Sequence, residues 1–208
     1  MTPKQIEAAS GQIEAEADPT LKNLMLASLV TAAFGERGVE LVVVGGSAIE
    51  FYTDGAYTSG DVDLCLHPRS QSLSLRARQE VMGELGAEGG PRNWRLCGLF
   101  VDVLGALESL AHTPLRQLEG PFGPVVLVQP EDLIAERVLV SVYPHENLSA
   151  RAVAKKLVAV ALRQRLVLDW PELWRIAARP EYGILRECRA LVGEIAHDLG
   201  IPSPADPA

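Results

Sequence analysis

Long apolar runs are absent: no window reaches the roughly 18 uninterrupted apolar residues that a membrane-spanning helix needs. The N-terminus, Met-Thr-Pro-Lys-Gln-Ile-Glu, lacks the apolar centre of a signal peptide, so a cytoplasmic location is expected. Cysteine is scarce. Cys65, Cys97 and Cys188 are odd in number and show no metal-ligand spacing, which points to reduced thiols rather than a disulfide framework. Cys65 reads as a small core residue. An excess of positive charge is also missing. Net charge is -8 with a pI near 5.1, which disfavours general binding of duplex DNA. The four histidines, His67, His112, His145 and His197, have no ligand spacing either. What remains is an ordinary globular balance, 48% hydrophobic and 22% charged, in a 208-residue chain that suits one domain or a core with an appendage.

Against that background, two short segments stand out. Val42-Val-Val-Gly-Gly-Ser47 reads as an apolar strand running into a glycine turn. Ser59-Gly-Asp-Val-Asp-Leu64 reads as a strand with two carboxylates one residue apart. Strand side chains alternate faces, so Asp61 and Asp63 project from the same side. Adjacent carboxylates repel each other unless a cation sits between them. A helix beginning at glycines offers open backbone N–H groups to an anion. A cation site facing such a cradle is what metal-assisted nucleotide chemistry requires. Taken singly, a Gly-Gly pair is an ordinary turn and an Asp pair an ordinary solvated edge.

The order of the pieces resembles the nucleotidyltransferase superfamily, whose best-known member is DNA polymerase β. Gly46-Ser47 and Asp61-Val62-Asp63-Leu64 match its Gly-Ser and Asp-hydrophobic-Asp-hydrophobic pattern. A third carboxylate, expected on a later strand among apolar residues, is supplied by Asp102 in Leu99-Phe-Val-Asp-Val-Leu104. The resemblance implies that Asp61, Asp63 and Asp102 are catalytic and hold one or two Mg²⁺ ions. It also implies that Gly45, Gly46 and Ser47 hold the phosphates of an NTP through backbone N–H groups and the serine hydroxyl. A family Arg before the Asp pair is replaced here by Tyr57-Thr58. Thr58, Ser59 and Gly60 read as turn residues, with positioning of a phosphate or substrate as the alternative.

Along the chain, helices are expected over 4–17 and 20–34, the second capped by Thr20, followed by a strand over 39–44 buried on both faces. A short helix over 48–52 and the carboxylate strand within 57–67 come next. A charged helix covers 70–85, and 86–91 is loop. One or two strands lie in 94–104 with Gly98 at a turn, and Gly120-Pro121 and Gly123-Pro124 suit a hairpin in 115–129. After Pro130 the character is helical: 131–142, 148–166, 169–178 and 182–199. Trp170 and Trp174, four residues apart, share a helix face and read as packing residues. The expected architecture is α/β (α+β), a mixed sheet flanked by helices. It comprises a core with N-terminal helices over 1–129, a helical region over 130–200 and a flexible tail over 201–208.

In the helical half, Arg151, Lys155, Lys156, Arg163 and Arg165 occur with no acid among them from 148 to 168. Arg151 and Lys155 share a face and Arg163 falls near it, which suits a triphosphate or an RNA backbone as well as a solvated face. Lys155, Arg163 and Arg165 are therefore candidate nucleotide-binding residues. Arg163-Gln-Arg165 followed by Asp169 also resembles the Arg-x-Lys-Asp helix of toxin-like, abortive-infection nucleotidyltransferases. Arg165 stands in place of Lys, and Leu166 in place of the first Asp. Gln129-Pro-Glu-Asp-Leu-Ile-Ala-Glu-Arg137 resembles a helix after the core in the same group, with Arg137 in place of a common Lys. These likenesses imply transfer of NMP to an acceptor hydroxyl or phosphate, on tRNA, protein or a small molecule, within a toxin–antitoxin pair. Two other readings stand beside it. One is a silent module of the same fold that binds a nucleotide or a partner. The other is an unrelated α/β protein, in which the three carboxylates would not converge.

Overall fold

The computed structural model describes residues 1–70 and 73–204. They fall into two compact units. One comprises Met1–Glu108 with Leu115–Val128, and the other Ser109–Pro114 with the chain from Gln129 onward.

The first unit opens with α1 (Pro3–Ala15), held at its start by a reciprocal pair in which Thr2 N–H donates to Gln5 Oε1 at 2.8 Å and Gln5 N–H to Thr2 Oγ1 at 3.3 Å. In α2 (Pro19–Gly35) the cap is Asp18, not Thr20. Asp18 Oδ1 accepts the Thr20 and Leu21 N–H groups, while Pro19 occupies the first helical position, where a missing N–H costs nothing. The Thr20 hydroxyl is thereby left for another acceptor. Strand β1 (Leu41–Val43) is fully buried, as its unbroken apolar run predicts. Next come α3 (Gly45–Tyr52), β2 (Asp61–Leu66), α4 (Leu75–Glu84), β3 (Glu88–Gly89), β4 (Asn93–Leu96), β5 (Leu99–Ala106), β6 (Arg116–Gly120) and β7 (Gly123–Leu127). The helix expected from 70 begins at Leu75, capped by Ser74; residues 71 and 72 lie outside those described.

The strands form one mixed sheet in the order β3-β4-β5-β2-β1-β7-β6. Strand β1 lies in the interior of the sheet, antiparallel to β2 and parallel to β7. Strand β2 runs parallel to β5, and the hairpins β4–β5 and β6–β7 supply the flanks. The expected loop at 86–91 contains β3, a two-residue edge paired to β4. Along β2, Val62, Leu64 and Leu66 are buried while Asp61, Asp63 and Cys65 are half-buried. Burying each such aliphatic side chain is worth roughly 1.5–3 kcal/mol, which fixes the face that β2 turns to the core. The two aspartates and Cys65 are thus driven to the opposite face, and Cys65 belongs to the carboxylate face rather than to the core.

The second unit contains α5 (Pro130–Val142), α6 (Leu148–Leu162), α7 (Trp170–Ala177) and α8 (Leu185–Leu199). Helix α6 ends four residues before 166, with Gln164 in the left-handed region at φ 57°. Three acids hold the segment Ser109–Pro114 within this unit. Asp132 accepts the Ser109 hydroxyl and the Leu110 and Ala111 N–H groups, Glu131 accepts the Thr113 hydroxyl, and Glu172 accepts the His112 N–H. Trp170 and Trp174 contact each other with ring centroids 5.9 Å apart. Residues 205–208 of the expected tail lie outside those described. Among the described residues no helix is long and apolar enough to cross a membrane.

Candidate functional site

The carboxylate site is a consequence of strand register. Asp61 and Asp63 leave β2 on one face, and Asp63 is the in-register neighbour of Asp102 on the parallel strand β5. Neighbouring strands lie about 4.8 Å apart with side chains of paired residues on the same face. One carboxylate oxygen from each of Asp61, Asp63 and Asp102 lies within 4.8 Å of the others, and all three residues are half-buried. Two neutral donors orient the cluster. Asn93, paired to Asp102 across β4–β5, donates Nδ2–H to Asp102 Oδ2 at 2.7 Å; the Ser59 hydroxyl donates to Asp61 Oδ1 at 3.1 Å.

The glycine turn is shaped around these carboxylates. Gly45 has φ +58°, and a Cβ there would lie 2.6 Å from Asp63 Oδ2. Any other residue would be both strained and in collision with the site. At Gly46 a Cβ would lie 2.6 Å from the Ser59 Oγ. Helix α3 begins at Gly45, so the turn is its first turn, and its N-cap Val44 supplies no side-chain cap. An uncapped helix start presents backbone N–H groups and the positive end of the helix dipole. Ser47 behaves differently from expectation. It is fully buried; its hydroxyl donates to the Asp61 carbonyl at 2.9 Å and accepts the Asp63 N–H at 3.0 Å. The side chain therefore clamps the β2 backbone at both aspartates, and only the Ser47 N–H remains for the cradle role.

The chain superposes on an antigenic nucleotidyltransferase-like protein from Paracoccidioides brasiliensis with a TM-score of 0.54 at 13% identity, over 85% of this chain and 88% of that one. This is a nucleotidyltransferase-like fold. A second similar structure, the antibiotic-resistance factor ANT(2'')-Ia, aligns with a TM-score of 0.49 at 16% identity, over 84% of this chain and 96% of that one. No family model matches the chain, and no curated protein matches its sequence.

Within the first unit, the three carboxylates and the turn Gly45, Gly46 and Ser47 come together. Lys155, Arg163 and Arg165 lie in the helical unit. Lys155 and Arg151 both pair with Glu194 of α8, each at 2.5 Å, so two cations of the basic helix face already meet an acid. Arg163 is the C-cap of α6 and Arg165 follows it; both are exposed. Arg137 lies on α5 beside Glu136. Among the described residues the aspartate triad is the only cluster of three or more metal-type ligands, and no histidine joins it. Burial, with Asp63 and Glu108 adding to it, pushes the Cys65 thiol up to about 11, so it stays protonated and is no nucleophile at neutral pH.

Three residues around the site escape the motif reading: Asn93, Ser59 and Glu50. Asn93 reaches Asp102 only through the β4–β5 register and has no local signal. Ser59 reads as a turn residue, and Glu50 could have been flagged as a lone acid within an apolar helix (Ala48 to Tyr52).

Proposed function

We propose that the chain transfers a nucleoside monophosphate from an NTP to an acceptor hydroxyl or phosphate. The observation that carries this reading is the convergence of Asp61, Asp63 and Asp102 within 4.8 Å beside the uncapped start of α3. The site fits a divalent cation in two respects: its donors are hard carboxylate oxygens, and Gly45 lacks the Cβ that would crowd Asp63 Oδ2. Asp61, Asp63 and Asp102 would hold one or two Mg²⁺ ions, which when bound neutralise charge on phosphate oxygens and acidify an acceptor hydroxyl. The N–H groups of Gly45, Gly46 and Ser47 receive the phosphates. Asp102, steered by Asn93, takes the proton of the acceptor hydroxyl. The acceptor oxygen then bonds to the α-phosphorus, the bond from that phosphorus to the bridging oxygen breaks, and pyrophosphate leaves with the electron pair.

Lys155, Arg163 and Arg165 serve the triphosphate or a phosphate-bearing acceptor in this reading. The acceptor is a tRNA end, a protein side chain or a small molecule, and the physiological setting is a toxin–antitoxin pair in the cytoplasm. A second reading, a silent module that binds a nucleotide or a partner protein, is favoured by two observations. Leu166 replaces the first acid of the Arg-x-Lys-Asp pattern, and α6 stops before Arg163.

The test is incubation with each NTP radiolabelled at the α-phosphate, Mg²⁺, and a pool of tRNA and cell protein, beside an Asp61→Ala/Asp63→Ala control. Label on RNA or protein that depends on the intact carboxylates establishes transfer and the acceptor class. Nucleotide binding without transfer to any pool, small molecules included, favours the silent module.

A further inference from the structure

Glu50 is a carboxylate for which the chemistry above has no use. It is fully buried in α3. Its Oε1 accepts the Thr20 hydroxyl at 2.8 Å; its Oε2 accepts the Asn23 amide at 3.0 Å and the Ser59 backbone N–H at 2.9 Å. A carboxyl group is costly to desolvate, and an apolar residue of similar size would fill the same volume. The apolar residue would, however, leave three buried or half-buried donors without an acceptor. What the carboxylate achieves is to tie the start of α2, the body of α3 and the approach to β2 at one point.

The third of these ties leads to the metal-type cluster. Glu50 fastens Ser59 by its backbone, and the Ser59 hydroxyl points forward to Asp61 Oδ1 at 3.1 Å. A continuous path therefore runs from α2 through Glu50 and Ser59 to Asp61. Two glycines leave room for the hydroxyls along it. A Cβ at Gly46 would lie 2.6 Å from Ser59 Oγ, and one at Gly55 would lie 2.8 Å from Thr20 Oγ1. The Gly55 N–H also donates to the Glu50 carbonyl at 3.1 Å, which holds the turn before β2 to the same residue. We propose that Glu50 is a positioning residue: through Ser59 it holds Asp61 with one oxygen engaged and the other turned to receive a divalent cation. The proposal rests on the cation-site reading given under Proposed function.

Mn²⁺ is the probe, its binding to the full chain measured by loss of the free-ion paramagnetic resonance signal, with thermal melting of each variant in parallel. Ser59→Ala keeps the backbone bond to Glu50 and removes only the hydroxyl. It is expected to weaken Mn²⁺ binding about tenfold, the usual scale for an outer hydrogen bond to a metal ligand, at an unchanged melting temperature. Glu50→Gln is expected to weaken binding at least as much, because its amide turns a donor toward donors. The double variant is expected to bind no worse than the weaker single one, because both act along one path. Ser59→Ala decides alone should Glu50→Gln fail to fold. Wild-type affinity in the folded variants overturns the positioning role and leaves the cation site standing, as multiplicative losses in the double variant also would. Absence of Mn²⁺ binding by the wild-type chain, with or without NTP, overturns the cation site itself and the positioning role with it.

Discussion

Asp61, Asp63 and Asp102 in the first unit and Glu131, Asp132 and Glu172 in the second are equal in number and alike in chemistry, yet their surroundings differ. The second set is buried, and its oxygens meet hydroxyls, backbone N–H groups and, at Glu172, the Nε–H and Nη2–H of Arg175, each at 2.7 Å. Asp169 N–H adds a donor to Glu131 at 2.8 Å. The first set is half-buried, its carboxylates face one another, and the donors seen on Asp61 and Asp102 are neutral. Acids whose oxygens are taken up by several donors, as in the second set, fasten structure. Acids gathered with an oxygen each within 4.8 Å of one another are held against their mutual repulsion by the fold, and a cation relieves it. The number of acidic residues therefore says little; what surrounds their oxygens separates structure from chemistry.

The largest effect that sharpens this contrast is on turnover. Asp61→Ala/Asp63→Ala should reduce nucleotidyl transfer on the order of 10³-fold or more, because a metal site supplies several kcal/mol to the barrier. Its melting temperature should hold steady or rise as the repulsion is removed. A large drop in melting temperature would instead place these acids with the structural set. Asp132→Ala should do the reverse. It strands the Ser109 hydroxyl and the Leu110 and Ala111 N–H groups, costing roughly 1–3 kcal/mol in urea unfolding while leaving Mn²⁺ affinity at the wild-type level. Gly45→Ala should cost about 1–2 kcal/mol in the same assay, because φ +58° is unfavourable for an L-residue, and should weaken Mn²⁺ binding because the new Cβ displaces Asp63. Normal binding in that variant would break the link between the turn and the cluster.

The smallest effect concerns pH. Hydrogen bonds from Arg175 outweigh burial and, with the His112 N–H, hold the Glu172 carboxyl down at about 2, against an ordinary 4.5. A folded-state value below the unfolded one means that the stabilisation is complete above pH 4.5 and drains away as pH falls toward 2. Unfolding of wild type and Glu172→Gln at pH 6 and pH 3 should show a gap that narrows in acid. A constant gap would show that the carboxylate charge contributes nothing to this unit.

Much of this protein was legible along the chain. The start of α5 was readable from Pro130, the buried strand from Leu41 to Val43, and the β6–β7 hairpin from its glycines and prolines, since each is a local property of a few residues. Boundaries slipped where a local choice had two solutions. Asp18 rather than Thr20 capped α2, α3 began at the glycines themselves, and α6 ended at Leu162. That the Ser47 hydroxyl bonds to the β2 backbone at both aspartates was not legible, because no spacing rule reveals a partner brought in by packing. Glu194, an acid distant in sequence, took the charge of Lys155 that looked unopposed in its own helix.

The chain alone determined that Asp61 and Asp63 share a face, because strand alternation is set by backbone geometry and needs no partner. It also determined that a glycine turn precedes a helix ahead of them. Only the tertiary structure decided that Asp102 joins them, because that depends on β5 pairing parallel to β2 in one register, and a slip of one residue would send it to the opposite face. The same is true of Glu50 and Ser59. Their hydrogen bonds join segments that meet only when α2, α3 and the approach to β2 pack together, and packing is a property of the whole core rather than of any motif.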